Sequence, residues 1–514
     1  MSTSSRILKN SGYLYLKMAF TVFVNLYSTR LILNALGVSD FGIFGVIGSV
    51  LGILGFLNAT LSTTTSRFIN FYEGKNEMEK LKKVFNNSIF LHLCLAVFLV
   101  LIMEIIMPFL FDGILNIPND RIPAAKMLFH FSVASTFFSV MSVPYGATIN
   151  AHENMLYFAI IGIIESIAKL FIAIYITYCT YDRIIVYGFL TMVTGIVILI
   201  VQQIYCRIKY EECRTDIKRY YDKSQLKDLL GFSKWTMVST GGILIGNYGN
   251  NVIINYFFGT KLNAAQSVSS QIKGQVMALT TTMTKAMNPA IAKKAGSGDL
   301  GNMLMLALSG TKLNIILYCV LGIPFVVEAP YILSVWLKSV PEWAVCFSIF
   351  SVSISMIEQF SLTLHGVLIA TGNIKQINIT NFMTHILPLF VYCVIFSWGA
   401  QPYWMYIIYA ISVGGISSFA DIYFNSKYCG LNLSLYCKDV FFPNFFCIVI
   451  SIIVGFLYKS FSEEGWIRLI SLIVLVDFIY VLLVFFIGLN RKEKSLAMSF
   501  VRNLILLLSK FCKR

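Results

Sequence analysis

Residues 27–46 read YSTRLILNALGVSDFGIFGV. Two apolar runs meet at a short polar step, Gly37 to Asp40, and Arg30 sits inside the first run. A charge at the centre of a bilayer costs roughly 2.5 kcal/mol or more even on insertion scales. The stretch therefore reads as two membrane spans joined by a tight turn at Leu36–Asp40, with an arginine that needs a task or a partner.

The rest of the chain supports the membrane reading. Of 514 residues, 57% are hydrophobic and 13% charged, and the mean hydropathy is +0.74. Soluble domains carry about 25% charged residues. A spanning helix needs about 20 apolar residues, so this composition can supply fourteen. The first apolar stretch is too long for a secretory h-region and is expected to stay as span one. Eleven cysteines lie singly, mostly in apolar runs, without metal-type spacing, and read as small buried hydrophobes.

Fourteen spans are expected near 11–35, 41–66, 84–111, 124–147, 153–178, 184–206, 230–257, 262–290, 304–327, 342–370, 376–398, 403–425, 439–458 and 466–489. With the N-terminus inside, 27 of the 40 Lys/Arg fall in cytoplasmic segments, seven at outer ends and six within spans. That bias is a positive-inside signal, and it accounts for the net charge of +15 without nucleic acid. Both termini are basic, which favours an even number of spans. The tail VRNLILLLSKFCKR is amphipathic and too short to span, so it is expected on the inner leaflet.

An internal repeat emerges at an offset of 222: Ser11 meets Ser233, Gly37 meets Gly259, Thr60 meets Thr282 and Gly74 meets Gly296. Spans four and ten align at an offset of 220, where Gly146 meets Gly366 and Ile149 meets Ile369. Six helices separate the halves, so the repeat has parallel topology, the two-lobe transporter plan. The expected division is an N-lobe at 1–208, a cytoplasmic linker at 209–229, a C-lobe at 230–428, two further spans at 429–490 and a basic tail at 491–514.

Three segments carry a family resemblance: R-x-x-x-x-x-LG-x-x-D-F-G-I-F at 30–44, T-x-x-x-R-F-I at 63–69 and YGATINAHEN at 145–154. With the 6+6+2 helix plan they resemble the polysaccharide-transport branch of the MOP flippases, the Wzx-type O-antigen and capsule flippases related to lipid II flippases and MATE efflux pumps. The resemblance implies an all-α integral membrane protein with two six-helix lobes plus two C-terminal helices, a central cavity and alternating access. It also implies translocation of undecaprenyl-diphosphate-linked oligosaccharide from the cytoplasmic to the outer leaflet of a bacterial inner membrane. Implied partners are that lipid, the bilayer and the polymerase and glycosyltransferases of the same route.

An anionic diphosphate needs a wet, cationic cavity, and charges facing such a cavity escape the hydrocarbon cost. Arg30 reads as a cavity cation able to hold phosphate oxygens in a bidentate fork, or as a packing charge paired with Asp40. Lys273 reads as a second cavity cation; the resemblance strengthens both. Glu165 and Lys169 are four apart on one helix face, and either pair with each other or present the lysine to cargo. Lys17 and Lys312 lie nearer the cytoplasmic ends, where snorkelling is expected. Glu358 and His365 share a face and could carry protons. Asn250, Asn251 and Asn381 could coordinate sodium or simply bond between helices. No cofactor is expected, and coupling to sodium or protons stays open.

The chain carries no Walker A, G-x-S-x-G or H-E-x-x-H pattern, so an enzyme is not expected. A MATE-like antiporter of cationic compounds would favour intramembrane carboxylates, against which Arg30, Lys169 and Lys273 count. A glycosyltransferase or ligase would need long outer loops, and these are short.

Overall fold

A computed structural model describes residues 3–53, 55–111, 117, 119–258, 260–337, 340–490, 493–495 and 498, with backbone alone at some helical positions. The described residues are almost wholly helical and contain no strand. Lipid enforces this, since every backbone polar group at membrane depth must be satisfied within the segment.

The helices are α1 (Thr3–Ile53), α2 (Gly55–Gly74), α3 (Met78–Phe109), α4 (Ile122–Ala151), α5 (Met155–Tyr178), α6 (Arg183–Lys209), the short α7 (Ile217–Tyr220), α8 (Lys223–Phe258), α9 (Thr260–Gly296), α10 (Leu300–Trp336), α11 (Ala344–Glu358), α12 (Leu362–Thr371) and α13 (Lys375–Ser397). Three further apolar runs follow: α14 (Trp404–Cys429), α15 (Leu433–Ser460) and α16 (Trp466–Gly488). Among the described residues, nine helices are long and apolar enough to cross a membrane, or ten if α11 and α12, bent by 46°, form one span. The long helices outside that count are α1, α2, α8 and α9, which hold the repeat-related ends. The protein is an all-α integral membrane protein, and the count is consistent with fourteen crossings.

The contacts divide the chain into two compact units, Met1–Gly241 with Lys285–Asp299, and Gly242–Thr284 with Leu300–Arg514. Both α8 and α9 pass from one unit to the other.

In the first unit the expected helix break at Leu36–Asp40 is absent: α1 is helical from Thr3 to Ile53. Its packing nevertheless reverses there. Leu14 shares a buried cluster with Met155 at the start of α5, and Ile32 and Ala35 pack on Ala173 and Ile176 near its end. Beyond the step, Ile43 and Ile47 pack on α3 and α4 beside Met103, Leu128 and Phe129. A straight helix of 51 residues would run about 75 Å at 1.5 Å per residue, more than twice the hydrocarbon thickness.

An ion cluster pins that reversal. Arg121 donates to both carboxylate oxygens of Asp40 and to Asp182, whose Oδ2 lies 2.9 Å away, and Arg183 donates to the Ala35 carbonyl at 2.8 Å. Asp40 is thus held by Arg121, where the sequence suggested Arg30. A guanidinium fork between two carboxylates is the better match, and Arg121 stands where α4 begins. At the opposite, basic end, the 210–222 segment docks on α3. There the fully buried Asn86 accepts from Asp216 N at 2.9 Å, and Asn87 donates to the Asp222 carbonyl at 3.0 Å.

In the second unit, Gly242, Gly246 and Gly249 of α8 face Phe382, His385 and Leu389 of α13. A Cβ added at Gly246 would lie 3.0 Å from His385 Cβ, so the helices approach as only small residues permit. A kink in α10 at Glu328, between Pro324 and Pro330, brings its fully buried carboxylate to Arg468 of α16, with Nη2 donating at 3.0 Å. Lys312 is a correction. Snorkelling was expected, but its side chain is 6% exposed and donates to Glu493 at 3.0 Å, because the chain leaving α16 brings a carboxylate to it.

Gly246→Leu should lower the thermal unfolding free energy of the purified protein by about 1–3 kcal/mol, the range for overpacking. Gly274→Ala, where an added Cβ meets nothing within 4 Å, should leave the unfolding midpoint unchanged or slightly higher.

Candidate functional site

The polar side chains that the sequence places at membrane depth are gathered differently in the two units. In the first, α1, α4, α5 and α6 enclose a cavity of about 310 Å³. Its wall carries Lys17 from α1, Glu165 and Lys169 from α5, and Gln202 from α6. Hydroxyls complete it: Ser135, Ser139 and Ser142 on α4, Thr191 and Thr194 on α6. Lys169 donates to Glu165 at 2.7 Å, the i, i+4 pairing read from sequence. Lys17 Nζ lies 4.3 Å from the Phe158 ring centre, and its Cε presses against Gly162, where a methyl would collide with it. Snorkelling was expected of Lys17; the glycine and the ring instead bed its stem along α5, with the ammonium at the cavity wall. Two ammonium groups against one carboxylate leave the wall net positive.

The hydroxyls have a definite state. Thr191 and Thr194 each donate to a carbonyl one turn back, at 2.8 and 2.9 Å, and Ser142 donates to Ser139 O at 2.7 Å. With their protons so used, their oxygens remain as acceptors towards the cavity. The wall therefore offers ammonium donors and hydroxyl acceptors together, which suits a ligand that is both anionic and rich in hydroxyls.

In the second unit the charges are paired. Lys273, midway along α9, lies 3.4 Å from Glu358 and 5.3 Å from the Tyr409 ring centre. Glu358 ends α11 just before the bend into α12. A carboxylate at a helix C-terminus opposes the helix dipole, and Lys273 offsets that. His365 of α12 faces Asp421 of α14 at 2.9 Å. Asn381 of α13 accepts from Ser417 at 2.6 Å, at the end of the π-helical run Ala410–Ser417, whose widened turn re-aims that face of α14. Asn250 of α8 is buried and its neighbour Asn251 exposed. No group of three or more His, Cys, Asp or Glu residues able to hold a metal occurs among the described residues.

Lys169 and Glu165 thus line the first unit's cavity, while Lys273, Glu358, His365 and Asn381 lie in the second unit's polar seam. Asp40 lies in the ion cluster at the reversal. The side chain of Arg30 is outside the described residues, as are Gly37, Gly259 and most of the basic tail. Sequence reading did not assign Lys17 to the cavity or Asp421 to His365. Both partnerships are long-range, and only the four-residue spacing of Glu165 and Lys169 was visible locally.

A family model for polysaccharide biosynthesis proteins matches residues 7–294. No curated protein sequence matches the chain. Among solved structures, it is similar to an outward-facing multidrug resistance MATE family transporter of the MOP superfamily. The identity there is 14% and the TM-score 0.71, over 83% of this chain and 95% of that one. It is also similar to a MOP superfamily transporter from Pyrococcus furiosus whose binding pocket is described as of reverse polarity, at 13% identity and TM-score 0.69, covering 84% and 96%. The bent form of the Vibrio cholerae MATE transporter VcmN matches at 15% identity and TM-score 0.67, covering 84% and 99%. At these identities the likeness is one of fold.

Lys273→Leu should destabilise the protein by about 3 kcal/mol, since it strands a largely buried carboxylate. Adding Glu358→Leu should recover most of that loss. Thermal unfolding of the two variants checks both, and equal destabilisation in the double variant would refute the pairing.

Proposed function

The chain belongs to the polysaccharide biosynthesis protein family, and from that premise we propose that it is a flippase. It carries undecaprenyl-diphosphate-linked oligosaccharide from the cytoplasmic to the outer leaflet of a bacterial inner membrane by alternating access. The observation that carries this reading is the first unit's cavity. A net-positive wall of Lys17, Lys169 and Glu165, faced by serine and threonine hydroxyls, complements a cargo with an anionic diphosphate and a hydroxyl-rich glycan. Ammonium groups attract the phosphates, and acceptor oxygens replace the water stripped from sugar hydroxyls. The lipid tail needs no site of its own, since it stays in hydrocarbon.

The cation bias of the loops supports cytoplasmic N- and C-termini. Two six-helix repeats, N-lobe 1–208 and C-lobe 230–428, with the last two spans outside the repeat, supply the moving parts. The paired groups of the second unit, Lys273 with Glu358 and His365 with Asp421, are the proposed coupling elements. A histidine and carboxylate 2.9 Å apart can take up and release a proton with little movement. The polymerase and glycosyltransferases of the same route are the proposed partners, and nucleic acid is not one.

A MATE-like multidrug antiporter is the competing reading, favoured by the fold neighbours. Cationic drugs would face like charge at Lys17 and Lys169, which disfavours it.

Lys17→Ala with Lys169→Ala should cut transfer of fluorescently tagged undecaprenyl-diphosphate-linked oligosaccharide in proteoliposomes by roughly tenfold or more. That is the loss of one to two hydrogen bonds to a charged group, each about 1.5–3 kcal/mol. Arg30→Ala should also reduce it, with expression and insertion unchanged, and Lys273→Ala should reduce it through loss of the Glu358 pair. Full transfer in the Lys17→Ala, Lys169→Ala variant would refute a cationic cavity.

A further inference from the structure

The end of α2 and the end of α9 meet in the first unit through two glycines that the sequence repeat already relates. A methyl on Gly74 would run into the carbonyl oxygen of Lys293, and a methyl on Gly296 into that of Phe71. Position 293 is 222 residues after 71, and 296 is 222 after 74. The two contacts are therefore one contact and its mirror, the isologous pattern that a two-fold axis imposes. The mirror extends along the helices. Thr64 of α2 bonds Ser233 of α8 at 3.0 Å, and 222 residues after Thr64, Ala286 of α9 shares a buried cluster with Leu14 of α1. A contact on the axis joins the repeats with nothing in between. A motion that parts the repeats at this end breaks it.

Charges clamp this contact. Lys293 lies 3.0 Å from Glu73 and 3.5 Å from Glu153. His152 lies between Glu73, 3.1 Å from Nδ1, and Glu212, 2.5 Å from Nε2, and stacks flat on Tyr210. A carboxylate at each ring nitrogen requires a proton on both, so the imidazole is a cation. Glu153 holds a left-handed backbone conformation, φ 53°, in the turn between α4 and α5, which aims it at Lys293. Two cations thus bind three carboxylates from α2, the α4–α5 turn and the segment after α6.

We propose that this mirrored contact is a latch at the cytoplasmic end, opened and reclosed once in each transport cycle, with Lys293 and His152 as its cationic pins. The proposal rests on the alternating-access reading above. It carries a pH dependence. Burial pulls the His152 imidazole down, but hydrogen bonds to Glu212 and Glu73 outweigh it and hold the group at about 9, above its ordinary 6.5. The clamp is therefore complete below pH 6.5 and is lost as pH rises through about 9. A neutral His152 removes one of the two cations that the clamp sets against Glu73, Glu153 and Glu212.

The test uses the full chain in proteoliposomes, with Lys75→Cys and Ser297→Cys. These positions are also 222 apart, are exposed, and flank the glycines; Ser297 meets Lys293 only through its backbone N–H, which the substitution keeps. A short cleavable thiol cross-linker should stop transfer of the tagged lipid-linked oligosaccharide, and cleavage should restore it, while the unsubstituted chain and each variant with only one of the two substitutions, treated alike, keep full transfer. Transfer at the unlinked rate through a linked latch, or failure of the pair to link, overturns the proposal and leaves the flippase reading intact. If no form of the protein moves the lipid, the flippase reading fails and the latch is judged separately. Cytoplasmic maleimide should then label Thr64→Cys severalfold faster at pH 9.5 than at pH 7, normalised to the unfolded chain, and His152→Gln should abolish that difference. Equal labelling at both pH values overturns the latch.

Discussion

A charge inside a bilayer must either find an opposite charge or reach water, and this requirement organises the molecule. Several described ionisable groups at membrane depth meet it by one of three routes. Glu328 with Arg468, and Lys312 with Glu493, are neutralised in buried pairs that fix α10 against the last helices. Lys273 with Glu358, and His365 with Asp421, form partly accessible pairs within the second unit. Lys17, Glu165 and Lys169 line a cavity, so that water or cargo can solvate the uncompensated charge. Pairs of the first kind bind helices together, whereas unequal charge around a cavity produces a field that selects an anion.

The same requirement explains which parts of the structure the sequence discloses. Helical class and membrane residence are averages over many residues and survive local error. The repeat was legible because parallel copies keep helix ends in register, and Gly74 and Gly296 prove to touch each other's backbones. Pairing between helices was illegible wherever it depends on how α9 meets α11 or α12 meets α14. Lys273 and Glu358 are 85 residues apart, and periodicity carries no information at that range. The turn at Leu36–Asp40 shows a subtler limit. A polar step with a glycine marked the place where packing reverses, but helical hydrogen bonding ran through it, because reversal and loss of helix are different properties.

The glycines carry a related lesson about what close approach permits. The Gly242, Gly246 and Gly249 face brings α8 against α13, a permanent contact with bulky partners, Phe382, His385 and Leu389. The Gly74–Gly296 contact is backbone against backbone, with ion pairs around its rim. Interlocked side chains resist separation, whereas a backbone contact rimmed by ion pairs can part when water enters to solvate the charges. The difference between the two glycine contacts matches a helix pair that stays together and one that opens.

Symmetry and function divide along the same line. Where the chain closes on itself, the repeat is obeyed: 74 matches 296, and 71 matches 293. Where the candidate binding charges lie, it is broken. At the 222-residue offset Lys17 corresponds to Ser239, Arg30 to Val252, and Lys273 to Leu51. A repeat that holds serine and valine at the counterparts of Lys17 and Arg30 does not need those two charges for packing, whereas Lys273 is tied to Glu358. Under the proposed function, a symmetric scaffold with an asymmetric lining suits an asymmetric cargo, since closure acts on both halves alike while the uncompensated cations Lys17 and Lys169 lie in the first unit's cavity.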